Sequence, residues 1–443
     1  MKLPLRLHLG EMARLATPVM LSRAGLMTMT MVNLVFLGRA EVAEVAYMAA
    51  ATVPINILMI ACNGMMSGTL VTSSHAVGRG DLAEAGQVWR RSLPFALVAG
   101  AVAIALGAFG ERFLILTGQS TVIAAGAGQV MQVLMLSLPG NALFLTTAFF
   151  LESIKRPLPA VWAIALGNMV NVALNWALVF GHAGVPAMGA VGSALATTAA
   201  RSAMALALIA YVLLMPDHRR FAVRRRPRAT WRDGAAARSL GYAGGASAAL
   251  EASAFGTMML FAGWFGAATL AGYAIALNAW SVVFMLALGL GIGNAVRVGH
   301  AIGAGDRPGA REAGWVGLGV VIVVITAIAI GFALFRGPLA AIFTDEPALA
   351  GEAAAMLLMC AWVMTVDGAK MVMMSAVRAT GDRWTPTSVQ VVTNFGIMVP
   401  LAYGLAFPLQ FGPAGLFIGM LAAVAAQLAF LLLRFVRRTA PAR

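Results

Sequence analysis

Charge is scarce in this sequence: Asp, Glu, Lys and Arg make up 11% of 443 residues, 60% are hydrophobic, and the mean hydropathy is +0.86. Soluble domains keep about a quarter of their residues charged, so soluble enzyme folds are excluded. Cysteine is nearly absent. Cys62 and Cys360 each lie inside an apolar run and supply neither a disulfide framework nor a thiolate metal centre. The histidines, His8, His75, His182, His218 and His300, contain no i, i+4 pair, so no metal site and no cofactor is expected. Acid is scarcer than base, 17 residues against 31, for a net charge of +14. Such an excess suits a nucleic-acid partner only when the basic residues gather on a soluble face, and here they do not.

Long apolar runs are what the sequence has. A helix that crosses a bilayer takes about 20 mostly apolar residues. The pattern predicts twelve, at 15–37, 46–71, 92–110, 127–152, 160–180, 190–214, 239–262, 270–296, 314–335, 351–378, 386–407 and 413–435. On this map the termini and the even-numbered loops carry 25 basic residues, counting Arg378 and Arg434 at the ends of their spans, and the odd-numbered loops carry three, Arg39, Arg112 and Arg336. The positive-inside rule then puts both termini in the cytoplasm. The segment 216–238, with eight arginines, reads as a solvated connector held near anionic lipid headgroups rather than a nucleic-acid site. The lipid bilayer is the expected partner, and nothing in the pattern requires a partner protein.

The chain also repeats itself. VTSSHAVGRGD at 71–81 matches VRVGHAIGAGD at 296–306 with an offset of 225, and Pro159, Pro186 and Gly192 match Pro386, Pro413 and Gly419 with an offset of 227. Six helices are an even number, so the two halves start on the same side of the membrane and the repeat is parallel. The expected fold is an all-α integral membrane protein with two six-helix lobes, 1–215 and 239–443, joined by the connector 216–238. Two similar lobes point to an alternating-access carrier. The GxGD loops lack the Walker pattern GxxxxGK[ST], and each reads as a tight turn in which Asp81 or Asp306 caps the next helix.

Function is sought among charges that a bilayer makes costly, about 2.5–3.5 kcal/mol each at the centre of a span. Only two acids lie deep in apolar runs: Glu251 in the seventh span and Asp367 in the tenth. At a rise of about 1.5 Å per residue they sit about 18 and about 16 Å from the cytoplasmic ends of their helices. Together they are suited to share a proton, hold a sodium ion transiently, or meet a cationic substrate. Ser247, four residues before Glu251, and Lys370, three after Asp367, are placed to satisfy them structurally instead. Asn168, Asn171 and Asn175 form one polar stripe on the fifth span, equally suited to interhelical hydrogen bonding and to substrate contact. Arg23 and Arg201 either snorkel or line a cavity, and Glu152 is expected to pair with Lys155.

LATPV at Pro18, VRVGHAIGAGD, ALEASAF around Glu251, YAIALN ending at Asn278, VDGAKMVMMSAVRATGDRWTP and NMVNVALNW, taken together, resemble the multidrug and toxic compound extrusion (MATE) transporters, most closely their NorM-like branch, over essentially the whole chain. The resemblance implies a V of two six-helix lobes in a bacterial inner membrane, not an enzyme. It implies export of organic cations or drug-like amphiphiles in exchange for protons or sodium ions, with Glu251 and Asp367 as the coupling site. Asn33, Asn168, Asn171, Asn175, Asn278, Lys370 and Ser247 are the candidate cavity or substrate contacts. The sequence departs from the family at Asn33, where many relatives have a coupling aspartate, at Val363, where relatives have tyrosine, and at Ala274, where they have glutamine. A flippase or exporter of a lipid-linked or other amphiphilic solute is the second reading. It calls for a cationic cavity, for which Arg23, Arg201 and Lys370 are the candidates.

Overall fold

The structure is a computed structural model that describes residues 5–182, 184–225, 231–344 and 346–440, and at 5–9, 42 and 231 the backbone alone. Residues 226–230 of the basic connector and the extreme ends of both expected lobes lie outside the described residues. The first half contains α1 (Leu5–Gly38), α2 (Val42–Gly78), α3 (Leu82–Gly107), α4 (Gly110–Leu116), α5 (Thr121–Met135), α6 (Ser137–Ser153), α7 (Leu158–Phe180) and α8 (Gly189–Leu214). The second contains α9 (Ala235–Gly263), α10 (Ala267–Gly303), α11 (Arg307–Leu334), α12 (Arg336–Ala341), α13 (Pro347–Ala379), α14 (Thr385–Val391), α15 (Val399–Ala406) and α16 (Pro413–Arg438). Among the described residues there is no strand. Among the described residues, eleven helical stretches are long and apolar enough to cross a membrane. The expected span outside that set is α9, whose 29 residues are diluted by Gly, Ala, Ser and Glu251.

Two spans are not the unbroken helices that the apolar pattern predicts. The fourth is interrupted at Leu136, between α5 and α6. Pro139 has no N–H to give to Met135, and its ring crowds that carbonyl, so α5 stops there. The eleventh contains a π-helical turn, Val392–Met398, between α14 and α15, just ahead of Pro400. The short helices α4 and α12 recur in the two halves and were not expected, being too brief to show a period.

The repeated loops are the tight turns expected of them. Gly80 and Gly305 have φ of 79° and 76°, a left-handed geometry that glycine adopts without strain. Asp81 Oδ1 accepts from Glu84 N at 2.9 Å, and Asp306 Oδ1 accepts from Gly309 N at 2.8 Å, so each aspartate caps the following helix.

Internal contacts divide the chain into two compact units, Leu21–Ala249, and Met1–Met20 with Leu250–Arg443. The division falls inside α1 and α9 and not in the 216–238 connector. Glycine spacing accounts for it. Within the first unit, a Cβ on Gly64 of α2 would lie 2.5 Å from the carbonyl oxygen of Gly244, and one on Gly68 would overlap that of Ala237, so α2 and the start of α9 meet backbone to backbone. Within the other, Gly289 and Gly293 of α10, the repeats of that pair, face Met20 and Ala16 of α1. Small residues four apart allow such close approach in membranes, where no hydrophobic force drives helices together.

Each unit also ties the loop after its fourth span to the far end of its sixth. In the first, Arg156 pairs with Asp217 just beyond α8. In the second, Asp382 accepts from Arg434 Nε at 2.6 Å and lies 3.3 Å from Arg438 Nε, both on α16. The polarity of the tie is reversed between the halves. Burial opposes ionisation of Asp382, but hydrogen bonds from Thr385 and Arg434 and the charges of Arg434 and Arg438 outweigh it and hold this carboxyl below the usual aspartate range.

Candidate functional site

Helix α13 carries Asp367 and Lys370 at i, i+3 spacing, which puts both on one face. The lysine Nζ lies 2.6 Å from Asp367 Oδ1 and 2.7 Å from Glu251 Oε1 on α9, to which it donates. Residues 119 apart in sequence are thereby joined into a carboxylate–ammonium–carboxylate triad. The Asp367 and Lys370 side chains are 2% and 3% exposed, and Glu251 is 13% exposed, so Glu251 is the accessible end of the triad. Burial at this level requires pairing, because an isolated ion in a low dielectric is costly. Arg378, two turns further along α13, lies within electrostatic reach of Glu251, and among the described residues its buried Nε and Nη2 have no hydrogen-bond partner.

The first unit gathers amides instead. Asn33 Nδ2 donates to Thr197 Oγ1 at 2.8 Å, Asn175 Nδ2 to Asn33 Oδ1 at 3.0 Å, and Asn171 Nδ2 to Thr197 Oγ1 at 3.4 Å. Asn33, Asn171, Asn175 and Thr197 are buried, and they join α1, α7 and α8. No member of this network carries charge. Asn168 stands partly aside: its Nδ2 donates to the carbonyls of Gly25 and Ile164, at 3.0 and 3.1 Å. Thr197 has no place in the sequence reading. The cue available was a hydroxyl pair, Thr197 and Thr198, inside an otherwise alanine-rich span.

Other candidates are dispersed. Asn278 is exposed on α10 and donates to Ala274 O on its own helix, 2.9 Å away. Ser247 is buried on α9, one turn before Glu251. Glu152 is not engaged as its spacing to Lys155 suggests; its carboxylate faces Arg23 at 3.9 Å, and that guanidinium also lies 5.4 Å from the Phe149 ring centroid. An ion pair across helices overrides a local i, i+3 contact when both partners are buried and the lysine can reach solvent. Arg201 donates to Ser137 Oγ at 2.8 Å and to Met59 Sδ at 3.2 Å. The three basic side chains considered for a cationic cavity are thus all engaged by their own unit.

Comparison with known proteins agrees with this architecture. The MatE family profile matches twice, at residues 18–177 and 245–404, which places one copy in each half of the repeat. A probable multidrug resistance protein NorM of Caulobacter vibrioides is 36% identical over 98% of this chain and 92% of its own length. Its namesake in Rhodopseudomonas palustris is 30% identical, with 98% and 93% covered. Among solved structures, the eukaryotic MATE transporter AtDTX14 aligns with a TM-score of 0.88 at 17% identity, covering 98% of both chains. A mutant of the Vibrio cholerae MATE transporter VcmN aligns with a TM-score of 0.88 at 19% identity, covering 98% of this chain and 97% of its own. With two MatE repeats spanning most of its length and NorM relatives matching it nearly end to end, the chain belongs to the multidrug and toxic compound extrusion family of membrane transporters, in its NorM-like branch.

Proposed function

We propose that this protein is a secondary antiporter that exports organic cations or drug-like amphiphiles in exchange for protons or sodium ions, by alternating access between its two lobes. One observation carries the reading. Glu251 and Asp367, acids of two spans of one unit, are brought within 2.7 Å of a shared ammonium, with Glu251 the more exposed of the two. A carboxylate that is desolvated yet reachable can exchange its counter-cation, which is what coupling requires. The relatives named for multidrug resistance support the export of varied small molecules. The distribution of arginine and lysine supports a bacterial inner-membrane location with both termini in the cytoplasm. Transport of an anionic lipid-linked solute is less well supported, because Arg23 and Lys370 are held by carboxylates and Arg201 by Ser137 and Met59.

Reconstitution tests the reading. Vesicles loaded with a fluorescent organic cation should lose it when a gradient is imposed and keep it when the coupling gradient is collapsed. Export indifferent to both the proton and the sodium gradient would remove the antiport assignment.

A further inference from the structure

A metal cation bound by Glu251 and Asp367 would neutralise them from a point between the two, and that point is occupied by the chain itself. Lys370 Nζ is 2.7 Å from one carboxylate and 2.6 Å from the other. An ammonium carries positive charge and no lone pair, so it can neutralise the carboxylates beside it and cannot ligate a metal. Because Lys370 is tethered three residues from Asp367, it never dilutes away, unlike a free ion. Sodium must exchange its water shell for several oxygens at once, and here the nearest carboxylate oxygens already face nitrogen. The wider charge balance points the same way. Arg378 adds a second positive charge within reach of Glu251, so two acids and two bases of the site sum to zero. Of the charged groups on neighbouring elements, Arg297 of α10 is paired with Glu11 at 3.5 Å and has Glu312 of α11 within electrostatic reach, so these acids face a base of their own.

We propose that Lys370 is the built-in cation of the Glu251–Asp367 site and excludes sodium from it. Resting on the antiport reading above, this leaves the proton as the coupling ion. A proton needs one oxygen lone pair and no cage. It bonds to a Glu251 oxygen from the solvent side, the Lys370 contact to that oxygen is released, and the ammonium stays on Asp367.

The test is calorimetric titration of the purified protein with sodium chloride against choline chloride at constant ionic strength. Wild type should show no saturable sodium binding. Lys370→Gln, which keeps the chain length and removes the charge, should acquire saturable sodium binding at least about tenfold tighter than the weakest affinity the titration detects, and Glu251→Gln added to it should abolish the gain. Should the lysine variant fail to fold, export by wild-type proteoliposomes under a sodium gradient alone decides, with none expected. Saturable sodium binding by wild type, sodium-driven export, or a folded Lys370→Gln that ignores sodium would each overturn the proposal. Absence of export under every gradient would remove the antiport reading, while the titration would still report on sodium exclusion.

Discussion

The two halves of this protein share a fold and divide the polar groups between them. At the offset of 225, Glu251 of α9 corresponds to Leu26 of α1, and Asn33 corresponds to Met258. At the offset of 227, Asn171, Asn175 and Thr197 correspond to Met398, Ala402 and Val424, all buried and apolar. The first unit therefore holds an uncharged amide network where the second is hydrocarbon, and the second holds an ion triad with leucine in the place of its glutamate. A parallel repeat supplies two equivalent frames, and chemistry has been placed at different depths in each. An amide network can join helices but holds no ionisable group, whereas the triad holds three. We accordingly propose that exchange of a cation belongs to the second unit.

The largest effect should come from removing the accessible charge of the triad. Glu251→Gln is expected to reduce gradient-driven export to the level of empty vesicles while the protein still inserts and purifies as wild type. A fully active, well-expressed Glu251→Gln would erase the distinction between the halves.

Next in size is Lys370→Ala, which leaves two buried carboxylates without their shared cation. Breaking a buried pair from one side costs about 3–5 kcal/mol, more than the pair itself contributes. Thermal unfolding in detergent should show a large loss of stability, and the pH dependence of transport should shift. Unchanged stability and an unchanged pH profile would mean that the lysine is not their counter-ion.

The two glycine contacts sharpen the comparison at the level of packing. Gly68→Ala would push a methyl into the Ala237 carbonyl, and overpacking of this kind costs about 1–3 kcal/mol. Its repeat, Gly293→Ala, places the methyl 3.5 Å from Ala16, an ordinary contact, and should be close to neutral in the same unfolding assay.

Smallest is the reversed charge tie between loop and sixth span. Because the Asp382 carboxyl ionises more readily in the folded protein than in the unfolded chain, its contribution is present above the unfolded value of about 4 and is lost as pH falls below it. Asp382→Asn should lower stability by about 1 kcal/mol at neutral pH and flatten its decline in acid, since both arginine partners are partly exposed. The Arg156–Asp217 tie is more exposed and should contribute about 0–1 kcal/mol.

Much of this was legible in the sequence because it is written in local quantities. Apolar run length reported the spans, the offsets of 225 and 227 reported the repeat, and counting residues from helix ends put Glu251 and Asp367 at one depth. What stayed hidden depends on partners chosen in three dimensions. The spacing of Asp367 and Lys370 showed that they could meet, but no local pattern announces that the same ammonium reaches Glu251, 119 residues away. Glu152 had a plausible neighbour in Lys155 and took Arg23 instead. The asparagine stripe of α7 was visible, yet its junction with Asn33 needed Thr197, which sits on another helix. The break at Leu136 follows from Pro139, a signal present in the sequence and outweighed by the apolar run around it.

Proton release by the purified protein measures the central claim, that exchange resides in the triad and not in the amide network. Adding an organic cation to wild type in weakly buffered solution containing a pH dye should liberate protons, and Asn33→Ala should do the same with at most a modest change in apparent affinity. Glu251→Gln should liberate none under identical conditions. Release that persists in Glu251→Gln, or that vanishes in a folded, substrate-binding Asn33→Ala, would contradict the assignment and move the exchange site into the first half of the molecule.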